Sequence, residues 1–192
     1  SLAVSGSAEL EKLLQLPPSL PALKRQILLA REIAHYAPDF SQSLALAASL
    51  GRLMDQVYTE GLDLKDLAKL APEGFADHWQ ITLTFMEIIS EKWPQILAEN
   101  NAIDAADRRN RLIRALAAHW AESPPPGPLI AAGSTGSIPA TAELLRVIAH
   151  IPQGRIVLPG LDTDMDMESW DAVGESHPQY GMKHLLHHIG IE

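Results

Sequence analysis

The 192-residue chain contains no cysteine. A disulfide framework, a thiolate zinc site and iron–sulfur ligation are therefore excluded within it, and any metal would need histidines and carboxylates. No run approaches 18 consecutive apolar residues, and the N-terminus lacks the basic-then-hydrophobic order of a signal peptide, so neither a membrane span nor a leader is expected. Basic residues are few: 15 Lys and Arg stand against 24 Asp and Glu, a net charge of −9 with a pI near 5.3. That balance disfavours tight nonspecific nucleic-acid binding by the segment alone, because phosphate contacts need a clustered basic face, but it leaves room for a local groove. Apolar residues are plentiful at 46%, enough for one or two globular domains with a real core. These features predict a soluble, cytoplasmic protein. The start at Ser1 rather than Met, and the stop at Glu192 just past an apparent helix end, suggest a segment of something longer.

Two grammars divide the chain. Residues 1–122 read as helix almost throughout. Leu10, Leu13 and Leu14 follow Ser7 as an N-cap, and Pro17-Pro18 ends that helix; a second is expected over residues 21–36, stopped by Pro38. A third starts near Ser41, carries Leu44, Ala48, Leu50, Met54, Val57 and Tyr58, and closes at Gly61. A short fourth helix follows Asp63. From about Phe75 to Asn100, Trp79, Leu83, Met86 and Ile89 keep one face, with a kink or restart at Pro94 after Trp93. Asp104 caps the next helix, which ends near Trp120. Such a block is bundle-like. Residues 123–128, with four prolines among six positions, read as a stiff linker. Residues 129–192 then spell strand (Leu129–Ala132), turn, helix (Pro139–His150), strand (155–158), an acidic loop over 162–175 with Trp170, and a last helix over 179–189. Strand, helix, strand in this order predicts a parallel βαβ unit belonging to a larger sheet. The fold class expected is mainly α with a small α/β part.

Several constellations invite chemistry. The turn Gly133, Ser134, Thr135, Gly136, Ser137 lies between a strand and a helix N-terminus, where backbone N–H groups can hold a phosphate. No Lys-Ser or Lys-Thr follows, and the third glycine of a dinucleotide fingerprint is missing. A structural turn with Ser137 capping the helix is the plainer reading. Asp162, Asp164 and Asp166 alternate like a calcium loop, but Met167 and Val173 stand where an EF-hand needs Gly and Glu, leaving a solvated acidic loop. His184 and His188 have metal-ligand spacing, yet Leu185 replaces the glutamate of a zincin. Arg108, Arg111 and Arg114 lie within a third of a helical turn and can track a nucleic-acid backbone. Asp104–Arg108 and Asp107–Arg111 pairs at four-residue spacing would make the same surface an ordinary solvated face. Trp79, Trp93 and Trp120 read as core rather than base-stacking platforms. No Ser-His-Asp or other catalytic set assembles by spacing; neither a catalytic residue nor a metal site is assigned.

The run LIAAGSTGSIPATAELLRVIAHIPQGRIVLPGL at 129–161, continued by Asp162-Thr163-Asp164, Glu168-Ser169-Trp170 and His177-Pro178-Gln179-Tyr180-Gly181, resembles the AddB-type subunit of the AddAB helicase–nuclease of DNA double-strand break repair and recombination. The likeness is to its alphaproteobacterial branch, an inactivated superfamily I helicase, and it covers about the last 65 residues; the helical block is similar only in kind. In an active helicase of that kind the strand before this turn ends in Asp-Glu, which hold magnesium and orient water, with Pro seven residues after the Asp. Counted back from Pro139, those Walker B positions fall on Ala132 and Gly133. The resemblance thus implies a degenerate fragment of a helicase-like core: no cofactor, a scaffold and DNA-guide role, an AddA-type helicase–nuclease subunit as partner, and DNA bound through the full complex. Two other expectations stand beside it. One is a small phosphate- or nucleotide-binding enzyme using the turn at 133–137; the other is a pure protein-interaction module.

Overall fold

The computed structural model describes residues 15–36, 39–63 and 85–191. The helix expected near Leu10–Leu14, the short helix after Asp63, and Trp79 and Leu83 lie outside these residues. The described residues are mostly helical with one two-stranded parallel sheet, the mainly α arrangement with a small α/β part that the sequence predicts. They fall into two compact units that divide between Asn110 and Arg111. Among the described residues no helix is long and apolar enough to cross a membrane.

In the unit that ends at Asn110, α1 (Ala22–Ile33) and α2 (Phe40–Thr59) pack side by side. Helix α2 begins one residue earlier than the apolar spacing indicates, because Asp39 is extended and its carboxylate accepts the Gln42 N–H at 2.7 Å, satisfying an end donor. Ala47, Leu50, Met54 and Val57 recur at helical spacing and meet Leu29, Ala30 and Ile33 in the core. The expected break at Pro94 takes a specific form. A π-helical turn (Ile88–Lys92) precedes α3 (Trp93–Glu99), and the Trp93 N–H reaches back to the Ile88 carbonyl. A proline inside a continuous α-helix would collide with the carbonyl four residues back; opening the ladder just before Pro94 relieves that clash without ending the helix. Ile88, Ile89 and Trp93 from this stretch complete the core. The segment before α1 is tied to the segment before α4 (Ala105–Glu122) by a parallel bridge between Ser19 and Ile103. There the Leu20 N–H donates to the Ile103 carbonyl at 2.9 Å.

In the other unit, β1 (Leu129–Ala132) and β2 (Gly154–Val157) run parallel, with Leu129 opposite Gly154 and Ala132 opposite Val157. Helix α5 (Pro139–His150) is the crossover. Strand β2 starts one residue before the expected 155–158. Gly154 makes this possible, because a Cβ there would lie 1.8 Å from the Ile148 carbonyl oxygen, so only glycine lets the chain turn this tightly off α5 into the strand. Ala131 and Ile156 face Leu145, Leu185 and Ile189, so α5 and the last helix, α7 (Tyr180–Ile189), cover one side of the sheet. Ile130 and Val157 on the other side are exposed. The acidic loop contains a short helix, α6 (Met167–Asp171), that apolar periodicity over five residues cannot announce. Ser137 does not cap α5: Ile138 holds that position, extended at φ −91° and ψ 123°, with no side-chain cap. Pro139 is the reason, since a residue before proline is driven out of the helical region and proline itself opens the helix.

Candidate functional site

The C-terminal end of β1 is where a parallel sheet offers its ligand crevice. Ala132 ends the strand and Gly133 follows at φ +77°. The Gly133 N–H donates to the Val157 carbonyl at 3.1 Å, extending the ladder by one rung. The Gly136 N–H is turned onto Ser134 Oγ at 3.3 Å. Two amides that an anion cradle would need are thus satisfied within the protein, and Pro139 removes a further donor from the start of α5. Gly136, at φ +61°, also lies under α7, where a Cβ would come within 2.5 Å of Leu185 Cδ1. Both glycines and the serine are accounted for by packing and turn geometry. Neither Ala132 nor Gly133 carries a group able to ligate magnesium or polarise water.

The three candidate arginines have unequal surroundings. Arg108 is half-buried and its Nε donates to the Pro17 carbonyl at 3.1 Å. Arg111 is exposed. Arg114 is close to Glu143, Nε to Oε2 3.8 Å. The solvated Asp104–Arg108 pair that the spacing predicts is not made. Asp104 turns inward and its side chain is fully buried. Its backbone carbonyl accepts the Arg108 N–H at 2.9 Å and so begins α4, while the carboxylate is taken by residues from other helices.

That carboxylate draws partners from several helices of its unit. Trp93 Nε1 donates to Oδ2 at 2.7 Å, and Arg25 Nε lies 2.6 Å from Oδ1 as a close ion pair rather than an aligned hydrogen bond. The Tyr58 phenol of α2 acts on the same carboxylate. Arg25 Nη1 continues to Asp55 at 2.8 Å. Asn110 donates to the Tyr58 carbonyl from α4. Burial pushes the Asp104 carboxyl above its ordinary value, against the pull of Arg25, Trp93 and Tyr58. Burial first, then the Asp104 charge, raises the Tyr58 phenol. A perturbed acid beside a tyrosine has the composition of an acid–base pair. At 1% exposure, however, Asp104 meets neither solvent nor substrate, and it serves as a structural node. Sequence reading missed it because an aspartate just before a helix reads completely as an N-cap, and nothing local marks Arg25 or Trp93 as its partners.

The remaining candidates resolve into local structure. The Asp162 carboxylate accepts the Asp164 N–H at 3.0 Å, and Asp166 accepts the Ser169 N–H at 2.7 Å as the cap of α6. That bond holds the Asp166 carboxyl below its ordinary value. At the other end of α6 the Lys183 ammonium donates to the carbonyls of Trp170 and Asp171 at 2.9 and 2.8 Å. Gln179 bridges the loop, donating to the Gly160 carbonyl and accepting the Asp162 N–H. His184 and His188 are exposed on α7. Among the described residues no three His, Asp or Glu side chains gather as a metal site would require. Trp93 is fully buried and Trp120 half-buried against Val147 and Ile151. No protein-family model, curated protein or solved structure matches the chain.

Proposed function

We propose that the chain is a non-catalytic, helicase-like segment of an AddB-type subunit of a double-strand break repair helicase–nuclease. In this reading it works in the cytoplasm as a scaffold for the AddA-type motor subunit and as a guide for DNA held by the full complex. The reading rests on the resemblance over residues 129–181. The end of β1 is consistent with it: the resemblance puts the two carboxylates of a helicase motor at Ala132 and Gly133, which carry none. The neighbouring turn spends its amides on Val157 and Ser134 rather than presenting them to a phosphate, which disfavours a small nucleotide-binding enzyme. Steady-state ATP hydrolysis by the purified chain, with forked DNA and magnesium present, tests it. Background turnover is expected. Turnover that persists at constant specific activity through further purification contradicts the reading and promotes the enzyme.

A further inference from the structure

An open groove of about 190 Å³ runs between the C-terminal turns of α4 and α5. Its construction follows from helix periodicity. Val147 of α5 and Ile151, the residue that ends it, lie four residues apart and are buried; Arg146 and His150 of α5 form the adjacent row and are exposed. The inner row meets the half-buried Trp120 of α4, giving an apolar floor, and Pro124 adds to the lining. The outer row makes a polar rim that carries the Arg146 guanidinium. His150 Nδ1 is tied to the Arg146 backbone carbonyl at 2.7 Å, which fixes the imidazole as a wall. The Arg146 guanidinium has no ion pair with another described residue.

Size and charge together choose the occupant. Pockets for nucleotides, cofactors and other small molecules run to about 300–1,000 Å³. The groove is smaller, with room for one bulky side chain. The single unpaired guanidinium beside an apolar slot calls for one negative charge placed within one residue of an apolar group. A polyphosphate is disfavoured further by the net charge of −9 and by the six acids over residues 162–175 of the same unit. We propose that this groove receives the C-terminal residue of a partner polypeptide, its bulky apolar side chain lying against Trp120, Val147 and Ile151 and its terminal carboxylate on Arg146. A chain terminus is the peptide feature that carries a carboxylate on the same Cα as the anchoring side chain, and Arg can bind it through two parallel N–H donors. The inference stands on the groove alone and is independent of the helicase-like reading.

The test is a titration of the ¹⁵N-labelled full chain with acetyl-Gly-Ser-Gly-Phe, followed at the Trp120 indole N–H resonance, which a Trp120→Phe variant assigns. The free-acid peptide is expected to shift that resonance saturably, and its carboxamide to bind about tenfold more weakly, the loss appropriate to one charge-assisted bond. Arg146→Gln, at an exposed position that leaves the floor intact, should weaken the free acid by a similar factor and leave the carboxamide unchanged. Equal binding of acid and carboxamide, or no saturable shift up to millimolar peptide, overturns the proposal. A dT oligonucleotide that shifts Trp120 where the peptide does not overturns it in favour of a stacked base.

Discussion

Trp93 donates its indole N–H to Asp104 Oδ2 at 2.7 Å, and both side chains are shut off from solvent. The bond joins the helix following the π turn to the residue that starts α4. Through Arg25 and Tyr58 the same carboxylate also holds α1 and α2. A buried charge of this kind is costly unless every partner is present, so its removal should be felt throughout the unit.

Replacing Asp104 by Ala leaves the Trp93 N–H without its acceptor in the interior and leaves the Arg25 guanidinium with Asp55 alone. A loss of about 3–5 kcal/mol is expected. Asp104→Asn, which keeps an acceptor for Trp93, should lose less. Urea denaturation of the full chain, comparing midpoints at constant slope, gives both values. An Ala variant within about 1 kcal/mol of wild type would remove the node from the account.

The same group has a signature in pH. Its carboxyl is raised in the folded chain above the ordinary 3.8, so the unfolded chain releases this proton first. Between those two values the folded state binds more protons, and stability falls as pH rises. The contribution is complete below 3.8 and is lost as pH climbs through the raised value. Asp104→Asn should therefore flatten the stability profile on the acid side, starting near pH 4. Parallel profiles for the two proteins across that range would show that the carboxyl is not raised.

Three glycines of the α/β unit should respond to alanine in a fixed order. Gly154→Ala drives a methyl into the Ile148 carbonyl, a backbone atom that cannot step aside, and should cost about 4 kcal/mol or prevent folding. Gly136→Ala combines a positive φ with a 2.5 Å approach to Leu185, whose side chain can shift, for about 2–4 kcal/mol. Gly133→Ala meets open space and costs only its φ, about 1–2 kcal/mol. Thermal unfolding of the three variants orders them. If Gly133→Ala proves the most damaging, that turn has a role packing does not describe.

The grammar of the second unit was readable because each of its signals is local. Apolar runs of strand length flank a helix opened by Pro139, and the parallel pairing of Leu129–Ala132 with Gly154–Val157 follows from the crossover connection. Helix α6 escaped because its start depends on the cap that Asp166 provides and its end on Lys183, from another helix. The Asp104–Arg108 pair was misread for a related reason. Four-residue spacing assigns Asp104 to Arg108, whereas in the fold the carboxylate is taken by Arg25 and Trp93, whose charge-assisted contacts in a dry site exceed a solvated pair worth about a few tenths of a kcal/mol.

That reassignment alters what can be expected of DNA. Asp104 no longer offsets the arginines, but Arg108 is engaged with the Pro17 carbonyl, leaving Arg111 and Arg114 as the more exposed pair. Affinity of the chain for duplex or forked DNA should be weak and fall with salt at a log–log slope of about 2, from roughly 0.9 per phosphate neutralised. Arg111→Ala with Arg114→Ala should abolish that slope in a labelled-DNA titration at two salt concentrations. A double variant that binds like wild type makes these side chains an ordinary solvated face and leaves scaffolding as the role.

Scaffolding is the centre of the proposed function, and sedimentation velocity of the full chain mixed with a purified AddA-type helicase–nuclease subunit measures it most directly. The account predicts a faster-moving complex of the two proteins at micromolar concentration, without DNA or nucleotide. Independent sedimentation of the two components across that range would contradict it.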